Sequence, residues 1–272
     1  MARWLQRLVA ILISRWALLV ATALILVFMY VPIVLIVLQA FNPNRAASWP
    51  PSGFSLRWVE TALQSEGLRQ AMGTSFTAAI GATALALVLG SLAALAVARF
   101  RFFGRETMSF VVLLPIALPG IVTAVALRST FTGLDVQLGM FTIILGHATF
   151  CIVIVYNNVL ARERRMVRSP EEASMDLGAD ALQTFRYITL PQLGTALVAG
   201  ALLAFALSFD ELIVTNFLAG GVKTLPIWIL SNFRLANQAP VVNVAAMVAI
   251  LLSIVPVFIA QRLAGAESAT TR

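Results

Sequence analysis

Six stretches of this chain are apolar over about the 20 residues that a helix needs to cross a bilayer. They run over 16–41, 73–98, 107–127, 140–160, 194–218 and 242–261. Polar and charged residues fall mainly in the gaps between them. Alternation at period two, the mark of a lipid-facing strand, is absent. The pattern predicts an all-α integral membrane fold with six transmembrane helices. Pro32, Pro115, Pro119 and Pro256 lie inside spans, where proline is tolerated if neighbours re-satisfy the freed carbonyls. The cluster Pro115, Pro119 and Gly120 predicts a bend in the third helix. Residues 42–55, with Asn42, Pro43, Asn44, Pro50, Pro51 and Gly53, read as an external loop. The organisation expected is an N-terminal segment, first span and loop over 1–66, a core over 67–262, and a tail over 263–272. No internal repeat or low-complexity segment is visible.

The gap at 161–193 carries helix signals of its own. Ser169 is placed to cap free amides, Pro170 suits a first helical position, and Glu172 follows the cap by three residues, as in a capping box. Glu171 and Glu172 both favour the helix dipole. Gly178 supplies a left-handed stop. Asp180 then caps a second helix, with Gln183 three residues on, and Pro191 disfavours helical geometry at the residue before it. Two short helices are expected, over 170–177 and 181–189, joined by a tight turn.

Composition excludes a soluble domain: 60% of residues are hydrophobic and 11% charged, against about 25% charged in ordinary globular proteins. The net charge of +7 sits in short gaps between apolar runs, so it reads as topology rather than nucleic-acid binding. With the N-terminus inside, the inner segments carry 13 arginines and the outer ones six Arg or Lys, which places both termini in the cytoplasm. Arg3, Arg7 and Arg15 precede an apolar run too long for a signal peptide, so the first span reads as an uncleaved anchor. Cys151 is the sole cysteine, which excludes an intrachain disulfide and argues against a cysteine metal site.

Glu172, Ala173 and Ser174, then Gly178, Ile188, Leu190 and Pro191, resemble in identity and spacing the EAA loop of ABC importer permeases of the MetI-like, type I family. Ser174 replaces the family's second Ala, a small-for-small change. The stretches 49–55, 114–123, 146–150 and 205–211 resemble the spermidine/putrescine branch, in particular its C-type permease. The resemblance implies a coupling helix in 161–193 that docks on a cytoplasmic ATPase. It also implies a heterodimer with a second permease, two ABC ATPases holding ATP and Mg, an extracytoplasmic solute-binding protein, and residence in the bacterial inner membrane. No cofactor is expected in this chain. It has no phosphate loop of the G-x-x-x-x-G-K type, so it is expected not to be an enzyme.

Asp210 and Glu211 fall within the predicted fifth span. Intramembrane acids cost about 2.5 kcal/mol or more at mid-bilayer, so they face a cavity or a partner. Counting from Gly194, Asp210 lies about 24 Å along the helix, in the outer half. On a continuous helix the two side chains diverge by about 100°: one lines the path as counter-charge for a cationic solute and the other packs. The alternative is that the helix breaks there and both acids meet a wet interface. His147, the sole histidine, reads as an interhelical hydrogen-bonding group rather than a proton relay. Tyr156, Asn157 and Asn158 read as hydrogen-bonding neighbours, Trp49, Trp58 and Trp228 as interface anchors rather than contacts to a binding protein, and Arg162, Arg164, Arg165 and Arg168 as contacts to anionic lipid or an acidic ATPase surface. Other functions remain open at this level: an importer for 4-aminobutyrate, opines or other small solutes, a cation-coupled secondary transporter using Asp210 or Glu211, or an intramembrane enzyme. Secondary transporters commonly carry inverted repeats, and an enzyme needs a partner for His147; neither is visible.

Overall fold

The computed structural model describes Trp4 and residues 15–45, 49–235 and 237–270. Arg3, Arg7 and Arg272, counted above for topology, lie outside the described residues. Secondary structure among the described residues is entirely helical. Single helices long and apolar enough to cross a membrane number five, and a broken pair makes a sixth candidate span. The chain divides into one unit of residues 1–64 with 232–247 and another of 65–231 with 248–272.

In the first unit, α1 (Arg15–Ala40) is apolar over most of its length between Arg15 and Gln39 and keeps Pro32 within an unbroken helix. Leu24, Phe28 and Val34 are exposed on it, an apolar surface suited to lipid. The loop expected over 42–55 is folded back on itself around buried Asn42. Its amide donates to Gln39 Oε1 at 2.9 Å, its carbonyl accepts from Trp58 Nε1 at 2.8 Å, and Ser55 N donates to Phe41 O at 2.7 Å. Trp58, on the short helix α2 (Arg57–Gln64), is only 4% exposed. It is a packed side chain, not an interface anchor, because its indole N–H is needed to satisfy a buried carbonyl. Trp49 remains exposed.

The second unit is built on α3 (Glu66–Arg99), α6 (Met140–Glu163) and α9 (Leu190–Phe209), which pack against one another. Helix α3 starts before the predicted span because the Ser65 hydroxyl accepts from Leu68 N and Glu66 sits in the first turn. Its 34 residues make it about 50 Å long at the α-helical rise, well beyond the hydrocarbon thickness of about 30 Å. Small side chains fill the seam: Ala82, Ala86 and Ala94 of α3 and Ala204 of α9 are fully buried with Cys151, Val155 and Tyr156 of α6. Without a hydrophobic drive between helices in lipid, close backbone approach supplies the attraction. Gly90 marks the tightest point, where an added Cβ falls 2.8 Å from the Ile152 carbonyl oxygen. Trp228, on α11 (Leu225–Asn232), is 7% exposed, so it too packs rather than anchors. The last helix, α12 (Ala239–Thr270), belongs to the first unit up to Met247 and to the second from Val248, and contains Pro256 without interruption.

The third span is two helices, α4 (Arg105–Ala117) and α5 (Gly120–Gly133), bent by 106°. Leu118 is extended, as expected before proline. Pro115 and Pro119 remove two amide donors four residues apart, and Gly120 adds a weak helix former. The predicted bend is therefore a break. The fifth span also departs from prediction: α9 ends at Phe209 and the chain resumes as α10 (Ile213–Leu218).

Gly90→Ala is expected to overpack the α3–α6 seam against backbone, costing about 1–3 kcal/mol. At Gly73, where a Cβ meets nothing within 4 Å, alanine should be neutral or slightly stabilising. Thermal unfolding of the two purified variants checks this; equal midpoints would contradict the close approach.

Candidate functional site

The segment resembling the EAA loop folds as a helical hairpin. Helix α7 (Ser169–Asp176) has Pro170 in its first turn, as expected. The Ser169–Glu172 capping box does not form. The helix begins one residue early, so Ser169 is already helical, the Arg168 carbonyl accepts from the Glu171 and Glu172 amides, and no side chain caps the start. Glu172 is left exposed. Gly178 closes α7 with φ +91°, and Ala179 N returns to the Ser174 carbonyl at 3.1 Å. Asp180 caps α8 (Ala181–Thr184) as predicted. Its Oδ1 accepts from Gln183 N at 2.8 Å, and its own amide donates to Gln183 Oε1 at 3.0 Å.

The second hairpin helix does not stop at Pro191. A π-helical turn, Phe185–Thr189, carries the chain directly into α9, with Leu190 N bonded to Phe185 O. The extra residue in that turn accommodates a proline that would otherwise clash with the Tyr187 carbonyl. Helix α8, the π turn and α9 thus form one path from hairpin to span.

Ser174 and Thr184 hydroxyls lie 3.2 Å apart and clip the two arms together, a contact that alanine at position 174 could not make. Glu172, Ala173 and Gly178 are exposed, Ile188 is half-buried, and Leu190 and Pro191 are exposed at the start of α9. The tip presents Leu177 at 90% and Leu182 at 74% exposure, with Met175 and Tyr187 beside them. Arg164, Arg165 and Arg168 are exposed, while Arg162 donates through Nε to the Gln192 carbonyl at 2.9 Å.

Glu171, which sequence reasoning treated only as a dipole-favouring acid, is the buried residue of α7, at 9% exposure. Arg99, the last residue of α3, grips it with two hydrogen bonds: Nη1 to Oε2 at 3.1 Å and Nη2 to Oε1 at 2.6 Å. Thr189 Oγ1 donates to the same Oε1. Arg99 Nε lies 2.7 Å from Oε1 of Glu163, the last residue of α6. Burial pushes the Glu171 carboxyl up, but the hydrogen bonds from Arg99 and Thr189 and the nearby cations outweigh it and hold it below the ordinary carboxylate range. It is therefore ionised at neutral pH. The partner lies 72 residues away, so local pattern could not distinguish Glu171 from Glu172.

Asp210 and Glu211 occupy the break between α9 and α10, which selects the alternative in which the fifth helix is interrupted. The expected divergence along a continuous helix does not apply. Glu211 turns back: Oε1 accepts from Val214 N at 2.9 Å, and its carbonyl accepts from Thr215 Oγ1 at 2.6 Å, starting α10. Asp210 is exposed, and among the described residues no side chain hydrogen-bonds its carboxylate. His147 is fully buried and spans the break. Nδ1 is 2.7 Å from Ser208 Oγ before it, and Nε2 is 2.8 Å from Thr215 Oγ1 after it. The interhelical hydrogen-bonding expected of His147 is met at both ring nitrogens. Tyr156 donates to Ser109 at 3.0 Å and Asn158 to Ile154 O at 2.8 Å, whereas Asn157 is exposed.

Residues 86–266 match the family described as "Binding-protein-dependent transport system inner membrane component". The putrescine transport system permease protein PotI of Escherichia coli (strain K12) is 37% identical over 228 residues, covering 80% of each chain. The spermidine/putrescine transport system permease protein PotC of Haemophilus influenzae is 35% identical over 236 residues, covering 86% of this chain and 91% of the other. Among solved structures, a chain of a bacterial ABC transporter that imports the acidic polysaccharide alginate superposes with TM-score 0.67 at 17% identity, over 90% of this chain and 94% of that one. A chain of the MetNI methionine ABC transporter gives TM-score 0.55 at 17% identity, over 74% and 98%. The latter two are likenesses of fold. The family match across the core and the relatives above 30% identity make this chain a member of the family of inner-membrane permease components of binding-protein-dependent ABC transport systems.

Proposed function

We propose that this chain forms half of the translocation path of an ATP-driven polyamine importer, together with a second, similar permease. The observation that carries the solute class is Asp210. It is a carboxylate at a break in an otherwise apolar span, unpartnered among the described residues, in a chain whose relatives are named as putrescine and spermidine permeases. A polyamine's ammonium groups lose hydration in a narrow path. A fixed carboxylate in low dielectric offsets that loss, because pair energies rise as the effective dielectric falls. Glu211 serves the same region by starting α10, and His147 holds the two sides of the break in place.

ATP and Mg are held by two separate ATPase subunits, and a binding protein delivers the solute from outside. The hairpin 169–189 meets the ATPases with the exposed tip around Leu177 and Leu182, while Glu172 and Ala173 line the same surface. Both termini and this hairpin lie in the cytoplasm. ATP-driven approach of the ATPases moves the hairpins, and the continuous path through the π turn passes that motion to the fifth span.

Asp210→Asn should lower putrescine or spermidine uptake about tenfold, the equivalent of about 1.4 kcal/mol. Glu211→Gln should lower it less, since an amide oxygen still accepts from Val214 N. Uptake by proteoliposomes holding the full complex and saturating binding protein checks this. Parental uptake in Asp210→Asn would remove the physical support for a cationic solute, and uptake without ATP would favour a secondary transporter.

Gly178→Val places a β-branched side chain at positive φ, strained by about 1–2 kcal/mol although a Cβ there meets nothing within 4 Å. Solute-stimulated ATP hydrolysis should fall in the reconstituted complex while membrane insertion is retained. Gly178→Asn should be milder, because Asn visits the left-handed region. Normal stimulation in Gly178→Val would contradict the turn's role in coupling.

A cysteine at exposed Ser231, in a Cys151→Ser background, should react with an impermeant thiol reagent added outside intact cells. One at exposed Gln183 should not. The reverse pattern would overturn the orientation.

A further inference from the structure

Helix α7 is joined to the body of its unit through one buried charge. Its other side chains are half-buried or exposed. Glu171 alone turns inward, where it meets Arg99, which ends α3, and Thr189, which immediately precedes α9; Arg99 in turn reaches Glu163, which ends α6. The guanidinium uses both terminal nitrogens on Glu171, and its Nε faces Glu163. Arginine's planar fork fits this arrangement, and the point charge of lysine does not.

A buried ion pair is weak evidence for stability, since the cost of taking two charges out of water can exceed their attraction. Its stronger consequence is geometric. Two parallel hydrogen bonds fix both distance and orientation between α7 and the end of α3. The Thr189 bond ties the π turn to the same oxygen, so the hairpin's entering and leaving arms converge on one carboxylate. A displacement applied at the exposed tip reaches α3, α6 and α9 together.

We infer that Arg99 is a positioning residue for transport: through Glu171 it converts movement of α7 into concerted movement of α3, α6 and α9. The inference rests on the reading of 169–189 as the ATPase-coupling hairpin. Arg99 touches neither solute nor nucleotide, and its loss changes how much transport each hydrolysed ATP yields.

The test uses the complete reconstituted complex, with putrescine and saturating binding protein, and measures uptake and ATP hydrolysis in the same proteoliposomes. Arg99→Gln should lower uptake per ATP hydrolysed about tenfold while ATPase subunits still co-purify. Arg99→Lys should recover only part, because the charge returns without the fork. Glu171→Gln should resemble Arg99→Gln, and the double variant should be no worse than either single one, as for two ends of one contact. A parental uptake-to-ATP ratio in Arg99→Gln would overturn the inference, as would losses that add in the double variant. If Arg99→Gln fails to insert, Arg99→Lys and Glu171→Gln decide: a lowered ratio in both upholds the inference, and an unchanged ratio in both overturns it. Leu177→Asp with Leu182→Asp tests the underlying reading separately. If ATPase subunits remain bound to that variant as firmly as to the parent, the docking surface is misplaced, whatever Arg99 does.

Discussion

Backbone hydrogen bonding in hydrocarbon is the constraint on which this structure depends. No water is present there to pair with a freed N–H or C=O, so a spanning segment must be helical or must satisfy its breaks from within the protein. Within the spans the chain departs from regular α-helix around Leu118–Pro119 and over Asp210–Leu212, and just before the fifth span it does so through Phe185–Thr189. Each departure is handled locally. The Pro119 carbonyl accepts from Val122 and Thr123 amides. The π turn keeps a continuous ladder up to a residue that has no donor. The Glu211 side chain takes the Val214 amide in the first turn of α10.

The same constraint explains how much could be read in advance. The six spans, the left-handed glycine at 178 and the Asp180–Gln183 cap were legible because each depends on composition or on residues within a few positions. The bend near Pro119 was legible for the same reason, though not its 106° extent, which reflects two prolines and a glycine acting together. Pro191 misled because proline's local preference to stop a helix was met by a change of helical pitch, a remedy that single-residue rules do not contain. Glu171 was illegible: its environment is set by Arg99, whose approach requires α3 and α6 to be packed first. The roles of Trp58 and Trp228 failed similarly, since an aromatic beside a membrane segment has the same local pattern whether it anchors or packs.

Placement of charge follows an energetic gradient along the helices. Arg99 and Glu163 are terminal residues of long helices, and Glu171 follows in the adjoining hairpin. There the two carboxylates are largely covered by protein and Arg99 is half-buried, beyond the apolar stretches, so the desolvation cost is only partial. Deep in the spans, polar contacts are neutral: His147 with Ser208 and Thr215, Tyr156 with Ser109, Cys151 with the Ala204 carbonyl. Hydroxyl and imidazole groups can be satisfied there at modest cost, whereas an unpaired ion could not.

Asp210 is the exception to that gradient, and the break makes it tolerable. On a continuous helix its carboxylate would project from an apolar cylinder. Ending α9 at Phe209 instead leaves Asp210 exposed. Neighbouring groups stabilise the break without using that carboxylate: Glu211 caps α10, and His147 links Ser208 to Thr215. Adjacent acids thus divide the work, one consumed by the backbone and one left open. This division follows from the geometry of a helix restart, in which the residue nearest the new helix is drawn into capping. The acid at position 210, rather than 211, is therefore the one whose carboxylate the helix restart leaves unused.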